Sequence, residues 1–86
     1  MYKTATNFGE YLKQKREEKQ ISLRELARRL EVSAPFLSDV ENNRRTPLTE
    51  ERLATLADVL NLNEAEKAEM YDIVGHQKGL LAPDLN

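Results

Sequence analysis

Residues 22–45 read SLRELARRLEVSAPFLSDVENNRR, and their reading decides the fold. Ser22-x-x-Glu25 is a capping-box pattern, in which the serine oxygen accepts an orphan backbone N–H and the glutamate reaches back to the serine N–H. A helix is therefore expected from about Leu23. Leu23, Leu26, Ala27 and Leu30 fall at i, i+3, i+4 and i+7, one stripe of a 3.6-residue period, while Arg24, Arg28 and Arg29 lie off it. Glu31, Val32 and Ser33 alone separate Leu30 from a second helical pattern, Ala34 to Asn42, with Ser33 as N-cap and Leu37 and Val40 inward. Helices joined this tightly cross steeply, and the small Ala27 lets their backbones approach. Asn43, a residue that tolerates left-handed geometry, is placed to stop the second helix.

Ala27, Val32, Leu37, Val40 and the string Glu41-Asn42-Asn43, followed by Arg44, Arg45 and Pro47, resemble the lambda-repressor/Cro-like helix-turn-helix family, also called XRE. The resemblance runs from about Phe8 to Leu62 and implies an all-α, five-helix DNA-binding domain. Family members often carry glycine where this chain has Glu31 and Asn43. A glutamate at positive φ costs roughly 1 kcal/mol, so a strained or reshaped turn is expected at Glu31.

In such a unit the second helix enters the major groove of double-stranded DNA and the first crosses the backbone. Ala34, Pro35, Ser38 and Asp39 match the family's base-facing positions. Ala34 and Pro35 would offer apolar contact to thymine methyls, Ser38 a hydrogen bond of either sense, and Asp39 an acceptor for the cytosine N4 amino group. An equally weighted alternative is that Ala34 and Pro35 merely start the helix, since proline is tolerated in a first turn. The set lacks an arginine, glutamine or asparagine to read guanine or adenine, and Asp39 repels phosphate. Phe36 either caps the core edge or packs on sugar-phosphate. Arg24, Arg28, Asn42, Arg44 and Arg45 are the expected phosphate contacts, with plain solvation as the alternative for each. The resemblance also pairs Arg16 of the first helix with Glu41, a carboxylate that opposes the helix macrodipole and needs a cation.

Around this unit the chain repeats the same local grammar. Asn7-x-x-Glu10 opens a first helix with Phe8, Tyr11 and Leu12 inward, ending near Lys19 or Gln20, after which Ile21 plugs the gap. Met1 to Thr6 reads as a fraying end or short arm. Arg44, Arg45 and Thr46 form a loop stiffened by Pro47, and Thr49 caps a fourth helix lined by Leu53, Leu56, Ala57 and Leu60. Asn63-x-x-Glu66 opens a fifth towards Val74, with Met70, Ile73 and Val74 completing the core and Gly75 as its stop. The expected organisation is a domain over 1–75 and a tail over 76–86 with little regular structure unless it docks. The tail has no clear structural ending, as in a fragment of a longer protein. The resemblance implies a homodimer on a palindromic site, and the leftover apolar residues Val59, Leu62, Tyr71, Leu80, Leu81 and Leu85 are the expected contact.

The 86 residues suffice for one small domain and carry no cysteine, so neither a disulfide framework nor a cysteine zinc site is expected. No apolar run has the length of a membrane span and the first residues lack a signal-peptide core, so a cytoplasmic chain is expected. The net charge of −2 hides an asymmetry: residues 1–48 hold ten cations against seven anions, net +3, and residues 49–86 three against eight, net −5. A positive end of this kind steers a domain to phosphate weakly and with strong salt dependence. Catalysis has little support, since the single histidine, His76, falls in the tail and no phosphate-binding glycine loop occurs. No catalytic residue, cofactor or metal is expected. The sequence thus reads as a sequence-specific transcriptional regulator, most simply a repressor. Two rivals remain open: an antitoxin that represses its own operon and grips a toxin through its acidic half, and a protein-interaction adaptor that keeps the fold without binding DNA.

Overall fold

Five helices, α1 (Phe8–Glu18), α2 (Leu23–Leu30), α3 (Ala34–Glu41), α4 (Glu50–Val59) and α5 (Glu64–Leu81), form the protein in the computed structural model, which describes residues 7–45 and 48–81. No strand occurs among the described residues. α3 packs against both α1 and α2, while α5 rests on α1 and α4 on α2. Each helix turns its apolar stripe to one shared core, anchored by Phe8, Tyr11, Leu12, Leu26, Leu37, Leu53, Leu56, Leu60 and Met70. Ala27, 2% exposed, lies where its stripe position required a small residue.

Local capping starts the helices. The side chains of Asn7, Ser22, Ser33 and Thr49 each accept the backbone N–H three residues on. At α5 the box closes in both directions: Glu66 N–H donates to Asn63 Oδ1 at 2.8 Å, and Asn63 N–H to Glu66 Oε1 at 2.9 Å. That backbone donor, with Lys15 beside it, holds the Glu66 carboxyl below the usual carboxylate range. The box expected at Ser22 closes only halfway. Glu25 N–H reaches Ser22 Oγ at 3.1 Å, but the Glu25 carboxylate turns to Arg28 and Arg29, stronger charged donors one turn along the helix.

The ends of α1 to α4 share one device without a single glycine. Gln20, Glu31, Asn43 and Asn61 all take positive φ, between 54° and 61°. At each, two backbone bonds close the turn in the Schellman pattern; at α2 these are Glu31 N–H to Arg28 O and Val32 N–H to Ala27 O. The Glu31 turn is therefore ordinary in shape, with left-handed strain confined to one residue. Glu31→Gly is expected to raise stability by about 0.5 kcal/mol, the relieved strain less glycine's greater freedom in the unfolded chain. A urea midpoint equal to or below that of the parent would count against strain there.

This device also corrects one expectation. Leu62 follows the positive-φ Asn61, and its N–H bonds back to Ala57 O, so the side chain swings into the core and is 6% exposed. It is not a surface residue available to a second subunit. Gly75 does not stop α5 either: the helix continues to Leu81, and Gln77, two residues beyond Gly75, accepts the Phe8 N–H at 2.8 Å through its side-chain oxygen. Residues 76–81 thus belong to the helical body, because a tertiary partner rewards continuation. The expectations for Met1–Thr6, Thr46, Pro47 and Leu85, and for the side chains of Leu80 and Leu81, lie outside the described residues.

Candidate nucleic-acid interface

The first-turn N–H groups of a helix have no partner within it, and α1 uses them to fasten itself to α5, to the C-terminal end of α3 and to its own N-cap. Phe8 N–H goes to Gln77, Gly9 N–H to Asn43 Oδ1 at 3.2 Å, and Glu10 N–H to Asn7 Oδ1 at 2.8 Å. Asn43 Nδ2 in turn donates to Asn7 Oδ1 at 2.9 Å. One residue thus ends α3 by its backbone and ties it to α1 by its side chain. The approach is close enough that a Cβ on Gly9 would stand 2.5 Å from Glu41 O and 2.6 Å from Val40 O.

A second tie lies two helical turns along α1. Arg16 Nε donates to Glu41 Oε2 at 2.7 Å and its Nη2 to Oε1 at 3.3 Å, a bidentate pair, while Nη1 donates to Ile21 O at 3.0 Å. Glu41 is the one charged residue buried among those described. The hydrogen bond to Glu41 raises the Arg16 pKa above its ordinary value. Position and orientation of α3 are therefore set by α1 through polar contacts at its end and by α2 through apolar contacts along its flank.

The residues named for base contact are brought to one end and side of α3, with unequal exposure. Ser33 caps the helix by accepting Phe36 N–H at 3.1 Å, and Pro35, in the first turn, is exposed. Ala34 and Phe36 pack partly against the core, so the helix-starting role of Ala34 and the core-edge role of Phe36 are both present in the free chain. Ser38 and Asp39 are half-buried. Asn42 folds back, its Nδ2 donating to Ser38 O at 2.9 Å.

The expected phosphate contacts flank this edge but differ in what holds them. Arg24 is exposed and has no ion-pair partner among the described residues. Arg28 and Arg29 share Glu25, whose carboxyl their hydrogen bonds, Arg28 first, hold below the usual range. Arg44 and Arg45 both lean on Asp39, and the Arg45 guanidinium lies 4.9 Å from the centre of the Phe36 ring. Sequence reading missed Gly9, the side-chain role of Asn43, and the seat of Arg45 on Phe36. Gly9 did leave a signal, a glycine in a helical first turn where alanine would be favoured by about 1 kcal/mol.

Residues 7–70 match the family model described as a helix-turn-helix domain, a span that holds the α2–α3 unit and every residue that carried the resemblance above. The chain belongs to this helix-turn-helix family. The domain is 40% identical over 55 residues to the ImmF control region 10 kDa protein of Bacillus phage phi105; the match covers 64% of this chain and 60% of that protein, so it spans about three fifths of the relative's length. Among solved structures, the clp gene regulator ClgR of Corynebacterium glutamicum superposes with a TM-score of 0.65 at 29% identity, covering 86% of this chain and 79% of that one. A second ClgR structure gives a TM-score of 0.62 at 31% identity, covering 78% and 86%. In the helix-turn-helix domain itself, no helix among the described residues is long and apolar enough to cross a membrane.

Proposed function

We propose that the protein is a DNA-binding transcriptional regulator that presents the Ser33–Asn42 edge of α3 to the major groove and represses from a palindromic operator as a symmetric dimer. The observation that carries this reading is the edge itself: Pro35, Ser38 and Asp39 reach solvent on a helix whose other side is locked by Leu37, Val40 and Glu41, with Arg24, Arg28, Arg44 and Arg45 around it. The family, the phage control-region relative and the ClgR likeness support a regulator. Pro35 would meet thymine methyls, Ser38 and Asp39 base-edge donors, and the arginines phosphates. One such module covers little DNA, which favours two copies with recognition helices about 34 Å apart. With Leu62 in the core and Val59 half-buried against it, the 44%-exposed Tyr71 is the described apolar residue of that set left open for the contact.

Selection of preferred sites from random duplex tests the reading. The expected result is an inverted repeat with half-site centres one helical turn apart, occupied by two chains in sedimentation. Arg44→Ala with Arg45→Ala is expected to weaken binding to the selected site and to flatten the plot of log affinity against log salt there by about 2. No enrichment, and no binding to any duplex at low salt, would remove DNA from the function.

A further inference from the structure

Two cations expected to bind phosphate are held, in the free chain, by the residue expected to read a base. Arg44 N–H donates to Asp39 O at 2.8 Å, folding the chain back over the last turn of α3. Arg44 Nη1 then lies 3.7 Å from Asp39 Oδ1 and Arg45 Nε 3.6 Å from Oδ2, one carboxylate oxygen to each cation. At the ends of α1, α2 and α4 the residue after the positive-φ position is Ile21, Val32 or Leu62, each packed on the core. At α3 that place is taken by Arg44, 71% exposed at its side chain, so this turn alone is built to present charge.

We propose that Asp39 is a specificity-determining residue that acts through Arg44 and Arg45, standing in for phosphate until a base-edge donor claims it. The inference rests on α3 being the recognition helix. On a duplex without a donor at that position, the carboxylate competes for the two guanidiniums and repels the backbone, so phosphate contacts and affinity are both weakened. Where a cytosine N4 amino group is within reach, the carboxylate turns to the groove floor to accept its hydrogen bond, and Arg44 and Arg45 are released to the phosphates. Ion pairs this long and this exposed are weak, so the exchange is easily reversed and follows the sequence met. Asp39 thereby converts one base contact into a difference in phosphate binding, which explains how so few base-reading groups could discriminate.

The test is fluorescence anisotropy with the whole chain, on random duplex and on duplex enriched by selection, across a salt series. The proteins are the parent, Asp39→Asn, Arg44→Ala/Arg45→Ala and the combined triple variant, with Asp39→Ser as a second replacement and melting curves to confirm folding. Asp39→Asn is expected to bind random duplex about tenfold tighter, to steepen the salt dependence by about 2, and to lose about tenfold in preference for the selected site. In the Arg44→Ala/Arg45→Ala background the same replacement is expected to gain about twofold at most, because the cations it would free are gone. Equal gains in both backgrounds would reduce Asp39 to simple repulsion and overturn the proposal, as would no gain in the parent. A parent chain that binds no duplex at low salt overturns the DNA-binding reading itself, whereas parent binding with additive variants overturns this inference alone.

Discussion

Glu41→Ala is expected to lower folding stability by about 3 kcal/mol, and Arg16→Ala by a comparable amount, because each strands a charge that the fold has already removed from water. The Glu41 side chain is 6% exposed and the Arg16 side chain 14%. With Arg16 gone, a buried carboxylate remains at the negative end of the α3 macrodipole with no cation to offset it. With Glu41 gone, the guanidinium keeps a single acceptor, Ile21 O. Removing both ends together separates the worth of the pair from the cost of orphaning one member: Arg16→Met with Glu41→Leu is expected to recover most of either single loss. Urea titrations read the result directly. Wild-type midpoints for both single variants would mean that the bidentate contact contributes nothing in solution.

Gly9→Ala is expected to destabilise by about 2–3 kcal/mol, although alanine is ordinarily the better helix residue. The added Cβ would meet Glu41 O at 2.5 Å, Val40 O at 2.6 Å and Asn43 Oδ1 at 2.7 Å, two of them backbone atoms with no rotamer to escape through. Relief requires α1 to lift from the end of α3, breaking the Gly9 N–H bond to Asn43 and freeing the turn that leads into Arg44 and Arg45. Gly75→Ala is the matched control. Nothing stands within 4 Å of a Cβ there, so the change should leave stability unchanged or raise it by up to about 1 kcal/mol. Thermal melting of the two variants side by side decides the matter; equal effects would show that the α1–α3 approach is looser than described.

These two sites mark how far the sequence could be read. The Arg16–Glu41 partnership was legible through the family pattern, and a carboxylate at a helix end already asked for a cation. Gly9 was not legible, because a glycine inside a helix can signal a kink, a close approach or nothing, and the approaching backbone lies more than thirty residues away. The base-facing set had the same ambiguity. Ala34 of that set and its neighbour Phe36, read as core edge or sugar-phosphate contact, sit on the boundary between core and edge, a boundary drawn by the way α2 and α3 cross rather than by either helix alone.

The sequence by itself determined what neighbours along the chain can settle. Four side-chain N-caps, the reciprocal Asn63–Glu66 box and the apolar stripes follow from bonds and contacts within four residues, so their residue types are sufficient signals. Tertiary structure alone decided which of several available partners each remaining group took. Leu62 had solvent on one side and the core on the other, and the turn at Asn61 chose the core. α5 had a glycine at which to stop and continued, because Gln77 found the open N–H of Phe8 across the fold. In each case the local alternatives differ by about 1 kcal/mol or less, and a single distant contact is enough to select between them.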